Sequence, residues 1–174
     1  MDKPTDRTVF QNAWVVDDIE VACRKWVDEL GVGPFHIADY TPETFDEITY
    51  HGQPSELAMR VGIAQAGNVQ IELIEPISEE CAYRDSVPKG TMAFHHMCVW
   101  TLDFEADHAY FDKLGYPAAN TGKLGDIEFA YFDTRPLLGC MLEVVTKADS
   151  VVQNFESYKE IAKNWDGKDP IRYR

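Results

Sequence analysis

Positive charge is what this sequence has least of. Sixteen lysines and arginines stand against thirty aspartates and glutamates, a formal net charge of −14, so the chain repels phosphate backbones and anionic lipid surfaces. No cluster of Lys and Arg interrupts the deficit, and nucleic acid is excluded as an expected partner. The same deficit weighs against ligands with several phosphates, such as coenzyme A thioesters, unless Arg24, Arg60, Arg84 and Arg135 build a local basic pocket. Long apolar runs are missing too. Nothing approaches the roughly 20 residues that cross a bilayer, and the opening MDKPTDRTVF has no apolar h-region, so the expectation is a cytoplasmic protein without a membrane partner. Cysteine is sparse and scattered. Cys23, Cys81, Cys98 and Cys140 show no C-x-x-C spacing, which argues against a zinc or disulfide framework and for reduced thiols, with Cys23 and Cys140 as small core residues. Low-complexity tracts are absent, and 174 residues at 45% hydrophobic content suffice for one globular unit.

What is present is an internal repeat. The segment 10 FQNAWVVDDIEVACRKWVDELG 31 lines up with 94 FHHMCVWTLDFEADHAYFDKLG 115, each an apolar strand followed by an Asp-apolar-Glu helix start and a closing Leu-Gly. In the first copy Asp17 or Asp18 is placed to cap a helix whose apolar residues Ile19, Ala22, Cys23, Trp26, Val27 and Leu30 recur at three and four. In the second copy Phe104, Ala106, Tyr110, Phe111 and Leu114 do the same. The copies also match further on: 67 GNVQIELIEP 76 parallels 139 GCMLEVVTK 147, and each follows another strand candidate, 57 LAMRVGIAQ 65 or 127 IEFAYFD 133. Each module therefore reads as strand, helix, then two or three strands, over about 8–76 and 94–147. Residues 35–54 form a long loop of a kind that is more often functional than idle. A last helix over 150–165, in the tail 148–174, is expected to cover a sheet edge or pack on a partner.

Four polar residues sit on these apolar strands: Gln11, Glu72, His96 and Glu143. Gln11 and His96 occupy matching positions of the repeat, as do Glu72 and Glu143. An ionised glutamate in an apolar strand costs several kcal/mol unless paired or bound to a cation. Two of them with an imidazole and an amide oxygen suit one divalent ion, such as Zn, Ni, Co, Mn or Mg. Strand alternation places His95 and His96 on opposite faces, so that His96 belongs with Cys98 and Trp100 while His95 is a supporting or interface histidine under the helix. His36, His51 and His108 have no partner that the pattern names. Cys98, Trp100, Met141, Ile74 and Val145 share the faces of the four polar residues, and Phe129, Tyr131, Phe45 and Tyr50 extend the expected pocket.

The segments 11 QNAWVVDDIEVA 22, 70 QIELIEP 76, 95 HHMCVWTLD 103 and 139 GCMLEVV 145 together resemble the vicinal oxygen chelate superfamily, the glyoxalase/bleomycin resistance/dioxygenase proteins. The resemblance covers nearly all of 8–147. It implies an α+β fold of two tandem βαβββ modules forming an open, mostly antiparallel barrel around a metal, here with a C-terminal helix added. It also implies that Gln11, Glu72, His96 and Glu143 are the metal ligands. Gln, Glu, His, Glu is the set of many glyoxalase I enzymes, whereas methylmalonyl-CoA epimerases more usually begin with His and place Gln second. The two-His-one-carboxylate triad of extradiol dioxygenases is absent, as are segments that would hold glutathione. The stretches 33 GPFHIADY 40 and 129 FAYFDT 134 look more like the glyoxalase-like and epimerase-like branch.

For that branch the implied activity is that of a metal-dependent lyase, isomerase or epimerase. The reaction is proton abstraction next to a metal-bound carbonyl of a small, rather apolar oxygenated metabolite. Glu72 and Glu143 are the catalytic candidates, with Glu143 expected to act as base. The alternatives are a sequestering protein of the bleomycin-resistance type and an iron-dependent dioxygenase; retention of four ligand candidates favours an enzyme. A homodimer is expected, because an open barrel leaves sheet edges that need cover.

Overall fold

The computed structural model describes residues 7–174; the first six residues of the opening segment discussed above lie outside the described residues. The first half of the chain runs β1 (Val9–Val15), α1 (Ile19–Leu30), β2 (Phe35–Tyr40), β3 (Glu47–Tyr50), β4 (Gln53–Pro54), β5 (Met59–Ala66) and β6 (Val69–Pro76). The second runs β7 (Ala93–Thr101), α2 (Phe104–Lys113), β8 (Ala118–Leu124), β9 (Ile127–Phe132), a short α3 (Arg135–Leu138) and β10 (Met141–Thr146), followed by α4 (Asp149–Lys163) and β11 (Ile171–Tyr173). The strands form one sheet in the order β11-β2-β5-β6-β1-β7-β10-β9-β8-β3-β4. Both copies of the repeat close the same way: β1 pairs in parallel with β6 and β7 with β10, while β1 and β7 meet antiparallel at the centre. This is the expected α+β architecture, mostly antiparallel and built from two related halves.

Local chemistry sets both helices. Asp18 accepts a hydrogen bond from the Val21 N–H at 3.0 Å, and Asp103 does the same for Ala106 at 3.0 Å, each satisfying a backbone donor of the first helical turn. Gly31, at φ 66°, closes α1 in the left-handed conformation that glycine adopts without strain. The apolar stripe of α1 packs on Ile71, Leu73 and Ile37, and that of α2 on Val99, Leu142 and Val144. These are the strand faces opposite Gln11, Glu72, His96 and Glu143. A third cluster fills the other side of the sheet, between the two halves.

Three features depart from the expectations. Residues 35–54 are not one loop: they hold β2 and then a hairpin whose strand β3 crosses to the second half and pairs with β8, from Glu47↔Lys123 to Tyr50↔Asn120. The junction is tied by the Asn120 amide donating to the Thr49 carbonyl and by Thr49 and Thr121 hydroxyls 2.7 Å apart. Next, β11 adds in parallel to β2. The chain itself thus adds a short strand at each edge of the paired halves, a two-residue and a three-residue strand. Lastly, α4 packs across the open side of the barrel and not along a sheet edge. Phe155 meets Phe10 at 5.4 Å and Trp100 at 6.2 Å in edge-on contacts, so its apolar stripe closes the open side of the barrel. No helix among the described residues is long and apolar enough to cross a membrane.

Gly122, on β8, is where hairpin and barrel wall meet most tightly. A Cβ there would overlap the Phe129 ring and come within 3.0 Å of Ile48 Cδ1. Gly122→Ala is expected to lower stability by about 1–3 kcal/mol, as overpacking does, read as a fall in the urea midpoint. An unchanged midpoint would mean that the Phe129 ring swings clear at little cost.

Candidate functional site

The register of the two central strands assembles the site. Along one row across the sheet lie Glu72, Ala13, His96 and Met141; along the next lie Gln70, Gln11, Cys98 and Glu143. The β1–β7 ladder slips once on each strand: between Val9 and Gln11 an extra residue, Phe10, enters β1, and between Phe94 and His96 an extra residue, His95, enters β7. Such a bulge breaks the alternation of faces. The two bulges fall at equivalent positions of the repeat, directly before Gln11 and His96. Strict alternation, which assigned His95 to a different environment from His96, therefore fails here. Phe10 belongs to the inner cluster, and the His95 Nδ1 lies 2.9 Å from the His96 Nδ1.

This contact explains the paired histidines. The His95 Nε2 lies 3.2 Å from the Ala82 carbonyl, which only accepts, so Nε2 carries the proton. Burial first, and the neighbouring His96 charge second, push the His95 pKa down to about 3, keeping its ring neutral. Its Nδ1 must then accept from the His96 Nδ1–H, and the remaining nitrogen of His96, Nε2, is turned toward the carboxylates. Nε2 lies 3.4 Å from a Glu72 oxygen and 3.2 Å from a Glu143 oxygen. It makes a proper hydrogen bond to neither, and the Glu72 Oε2 is likewise buried without a partner.

Ligand atoms from Glu72, His96 and Glu143 all lie within 4.8 Å of one another. Burial raises the Glu72 pKa; the His96 ring opposes that rise and the Glu143 charge adds to it. Burial alone would lower the His96 pKa, yet the two carboxylates outweigh it and hold the imidazolium up to about 9. Two buried carboxylates converging on a nitrogen without hydrogen-bond geometry have the chemistry of a cation site, and a divalent ion would replace the proton they retain. Gln11 lies one row away. Its amide N–H donates to the Gln70 carbonyl oxygen at 2.6 Å, which leaves its own oxygen as the atom for a cation.

His95→Ala removes the acceptor that fixes the His96 tautomer while leaving all four candidate ligands. The expected result is a 10–100-fold weaker hold on zinc, the usual cost of losing a ligand's orienting partner, measured by competition with a chromophoric chelator. Unaltered zinc affinity would show that the packing of the His96 ring suffices to orient it.

A cavity of about 400 Å³ opens over these rows. Its walls include Gln11, Gln70, Glu72, Glu143, Cys98, Phe129, Tyr131, Val145 and Phe45, with Phe10, Tyr40 and the α4 residues Asn154, Phe155 and Tyr158. Of the pocket residues expected from the sequence, Cys98, Val145, Phe129, Tyr131 and Phe45 line this space. Trp100, Met141 and Ile74 are in the same cluster but behind its surface: Phe10 stacks on Trp100 at 3.7 Å, and Met141 and Ile74 are completely buried at the closed end. Tyr50 turns away to donate to Asp85 at 2.6 Å. Sequence reasoning missed Phe10, Gln70, Tyr40 and the α4 contribution. The matching Gln70 and Gln11, two polar residues facing one way on apolar strands, were the available signal for Gln70.

None of the four arginines considered above lines the cavity. Arg60 pairs with Glu20, Asp39 and Glu75, Arg135 with Asp133, and Arg84 with the carbonyls of Val87 and Pro76. Burial and the Glu143 charge push the Cys98 thiol well above its ordinary pKa, so it is a wall and not a nucleophile.

Three comparisons bear on this geometry. A family model described as the Glyoxalase/Bleomycin resistance protein/Dioxygenase superfamily matches residues 10–131, more than half of the chain. No curated protein matches. Among solved structures, a hypothetical protein from Bacillus halodurans C-125 superposes with a TM-score of 0.62 at 17% identity, covering 83% of this chain and 97% of its own. Methylmalonyl-CoA epimerase from Streptomyces coelicolor, in complex with 2-nitronate-propionyl-CoA, gives 0.57 at 19% identity with the same coverages of 83% and 97%. Methylmalonyl-CoA epimerase from Mycobacterium tuberculosis gives 0.56 at 13% identity, covering 88% of this chain and 96% of its own. At such identities these neighbours show a shared fold, and with the family match over both central strands the chain belongs to the glyoxalase/bleomycin resistance protein/dioxygenase superfamily.

Proposed function

We propose that this protein is a metal-dependent enzyme that moves a proton at a carbon next to a carbonyl group, in an epimerase or isomerase type of reaction. The observation that carries this reading is the buried His96 Nε2, oriented by His95 and set between the Glu72 and Glu143 carboxylates, both of which line a largely apolar cavity. Glu72, His96, Glu143 and Gln11 would hold one divalent ion, with Zn, Ni, Co, Mn and Mg all compatible with three oxygens and one nitrogen. When bound, the ion supplies Lewis-acid stabilisation of the negative charge that grows on a carbonyl oxygen as the neighbouring C–H is broken.

Both carboxylates line the cavity: Glu72 shares a row with His96, and Glu143 shares a row with Cys98 and Gln11, two further cavity residues. In this reading Glu143 takes the proton from substrate and returns it to the same or the adjacent carbon. Glu72 and His96 stay fixed. The apolar walls, with Phe45, Phe129, Phe155 and α4 closing the open side, exclude water from the exchanging carbon. No Lys or Arg lines the cavity, so a small oxygenated metabolite fits its interior better than a polyphosphate.

An iron-dependent oxygenase is the weaker reading, because His95 does not offer a second nitrogen: Nδ1 and Nε2 are both engaged. A sequestering protein would use the same cavity, but two buried carboxylates add only cost to binding an apolar ligand. The test is deuterium wash-in from D₂O. The chain, reconstituted in turn with each of the five ions, is incubated with ketones, hydroxyketones and 2-oxo or 2-methyl acids. Enzyme-dependent exchange at the carbon next to the carbonyl supports the reading. No exchange on any member of the panel with any ion would put the sequestering reading first.

A further inference from the structure

Beside the cavity, and reaching its wall through Tyr158, lies a polar cluster built from β2, α4 and β11 that the proton-transfer chemistry does not use. On β2, Phe35 and Ile37 face the core under α1, so His36 shares the opposite face with Tyr40, a cavity residue. The partner of His36 on β5 is Ile63, which also lines the cavity. From α4, Tyr158 brings its ring edge-on to the His36 ring, with centroids 4.9 Å apart. From the C-terminal strand, Arg172 stands beside His36 in the β11–β2 ladder. Arg174 lays its guanidinium over the Tyr158 ring, 4.7 Å from the centroid.

The cluster is built, yet its hydrogen bonds are unfilled. Tyr158 is 4% exposed and lines the cavity, and its hydroxyl is buried without a hydrogen-bond partner. The Nε2 of His36 is buried and equally unpartnered. Two adjacent buried groups that bond neither to each other nor to anything else cost about 1–3 kcal/mol each, a cost that a bound ligand removes. Burial, with the charges of Arg174 and Arg172, holds His36 down to about 4, so at neutral pH it is a hydrogen-bonding group and not a cation. The charge comes from Arg174, whose facing ionisable group is Tyr40 and not a carboxylate.

We propose that His36, Tyr158 and Arg174 form a carboxylate-binding subsite, so that the substrate is an acid whose carboxylate sits apart from the carbon that exchanges its proton. This deepens the reading of Glu72, His96 and Glu143 as the reacting end and rests on it. A guanidinium with a phenol and a neutral imidazole matches a carboxylate, and Arg172, the second guanidinium beside His36, donates through Nε to the Asp169 carbonyl. The acidic end of such a substrate is repelled by the two glutamates and by the net charge of −14, which leaves the arginine-bearing rim as its place. The apolar body then lies along Val61, Ile63 and Phe155. Reading direction is thereby set: carboxylate at α4, carbonyl at β10. Because Tyr158 and Arg174 follow the two modules in the chain, the tail beyond residue 147 decides specificity.

The test compares two small probes that differ only in charge, 4-phenylbutyrate and 4-phenylbutyramide. Binding is followed by tryptophan fluorescence, since Trp100 stacks on Phe10 at the cavity wall. The wild-type chain is expected to bind the acid about tenfold more tightly than the amide, the ratio that a charge-assisted hydrogen bond brings. Tyr158→Phe and Arg174→Gln should each weaken acid binding by a large part of that factor and leave the amide unchanged. Glu72→Gln/Glu143→Gln should keep the preference for the acid, which separates this subsite from any metal. Equal binding of the two probes, no binding of the acid, or a preference that survives Tyr158→Phe/Arg174→Gln would overturn the proposal. So would a preference that disappears in the glutamate double variant, because the carboxylate would then sit at the metal centre. Failure of the proton-transfer reading shows instead as absent deuterium exchange with the acid preference intact.

Discussion

Glu143→Gln is expected to reduce deuterium exchange by about 10²–10⁴-fold, the range for loss of a general base, while most of the metal stays bound. The substitution keeps shape and an oxygen ligand but removes the negative charge and the basic lone pair. Glu72 and His96 remain to hold the ion, with Gln11 in the neighbouring row. Glu143 lines the cavity beside Cys98, so its loss falls on the reacting end. Glu72→Gln should reverse the pattern, with a larger loss of metal affinity than of exchange at saturating metal. Equal exchange rates for Glu143→Gln and the wild type would remove Glu143 as the base and move that role to Glu72.

Glu72→Gln/Glu143→Gln takes away both carboxylates. Metal content per chain, measured by elemental analysis after extensive buffer exchange, should fall from about one ion to none, because a lone imidazole and amides do not retain a divalent ion in competition with water. The double variant should also be at least as stable as the metal-free wild type. Glu72 and Glu143 are buried beside one another, and burial together with the Glu143 charge holds the Glu72 pKa above its ordinary value. Neutral amides of the same shape relieve that strain. Metal in the double variant equal to the wild type would locate the ion elsewhere. No metal in the wild type, and none after reconstitution, would leave the carboxylates structural.

Much of the fold was legible because it repeats. The strand-helix-strand order, the Asp18 and Asp103 caps, and the convergence of Glu72, His96 and Glu143 all follow from two matching patterns of apolar spacing, local enough to be read along the chain. What was misread has a common cause. The two bulges are properties of how β1 and β7 pair, not of either strand alone; they bring in Phe10, and also His95, which strict alternation had set apart from His96. Ile74 and Met141 do lie on the ligand face as expected, but at its closed end, and only the depth of the assembled barrel shows that.

Taken by itself, the sequence determined two α+β modules, the identity of the residues that converge between them, and the acidic balance of the chain. Each of those rests on interactions within a few residues or on a pattern seen twice. Tertiary structure alone decided that the hairpin crosses to the second half, that α4 roofs the cavity, and that His36 meets Tyr158 and Arg174. These contacts join segments far apart in the chain through side chains with no periodic pattern, so nothing local encodes them. They form only when the apolar surfaces left over by the two modules find one another.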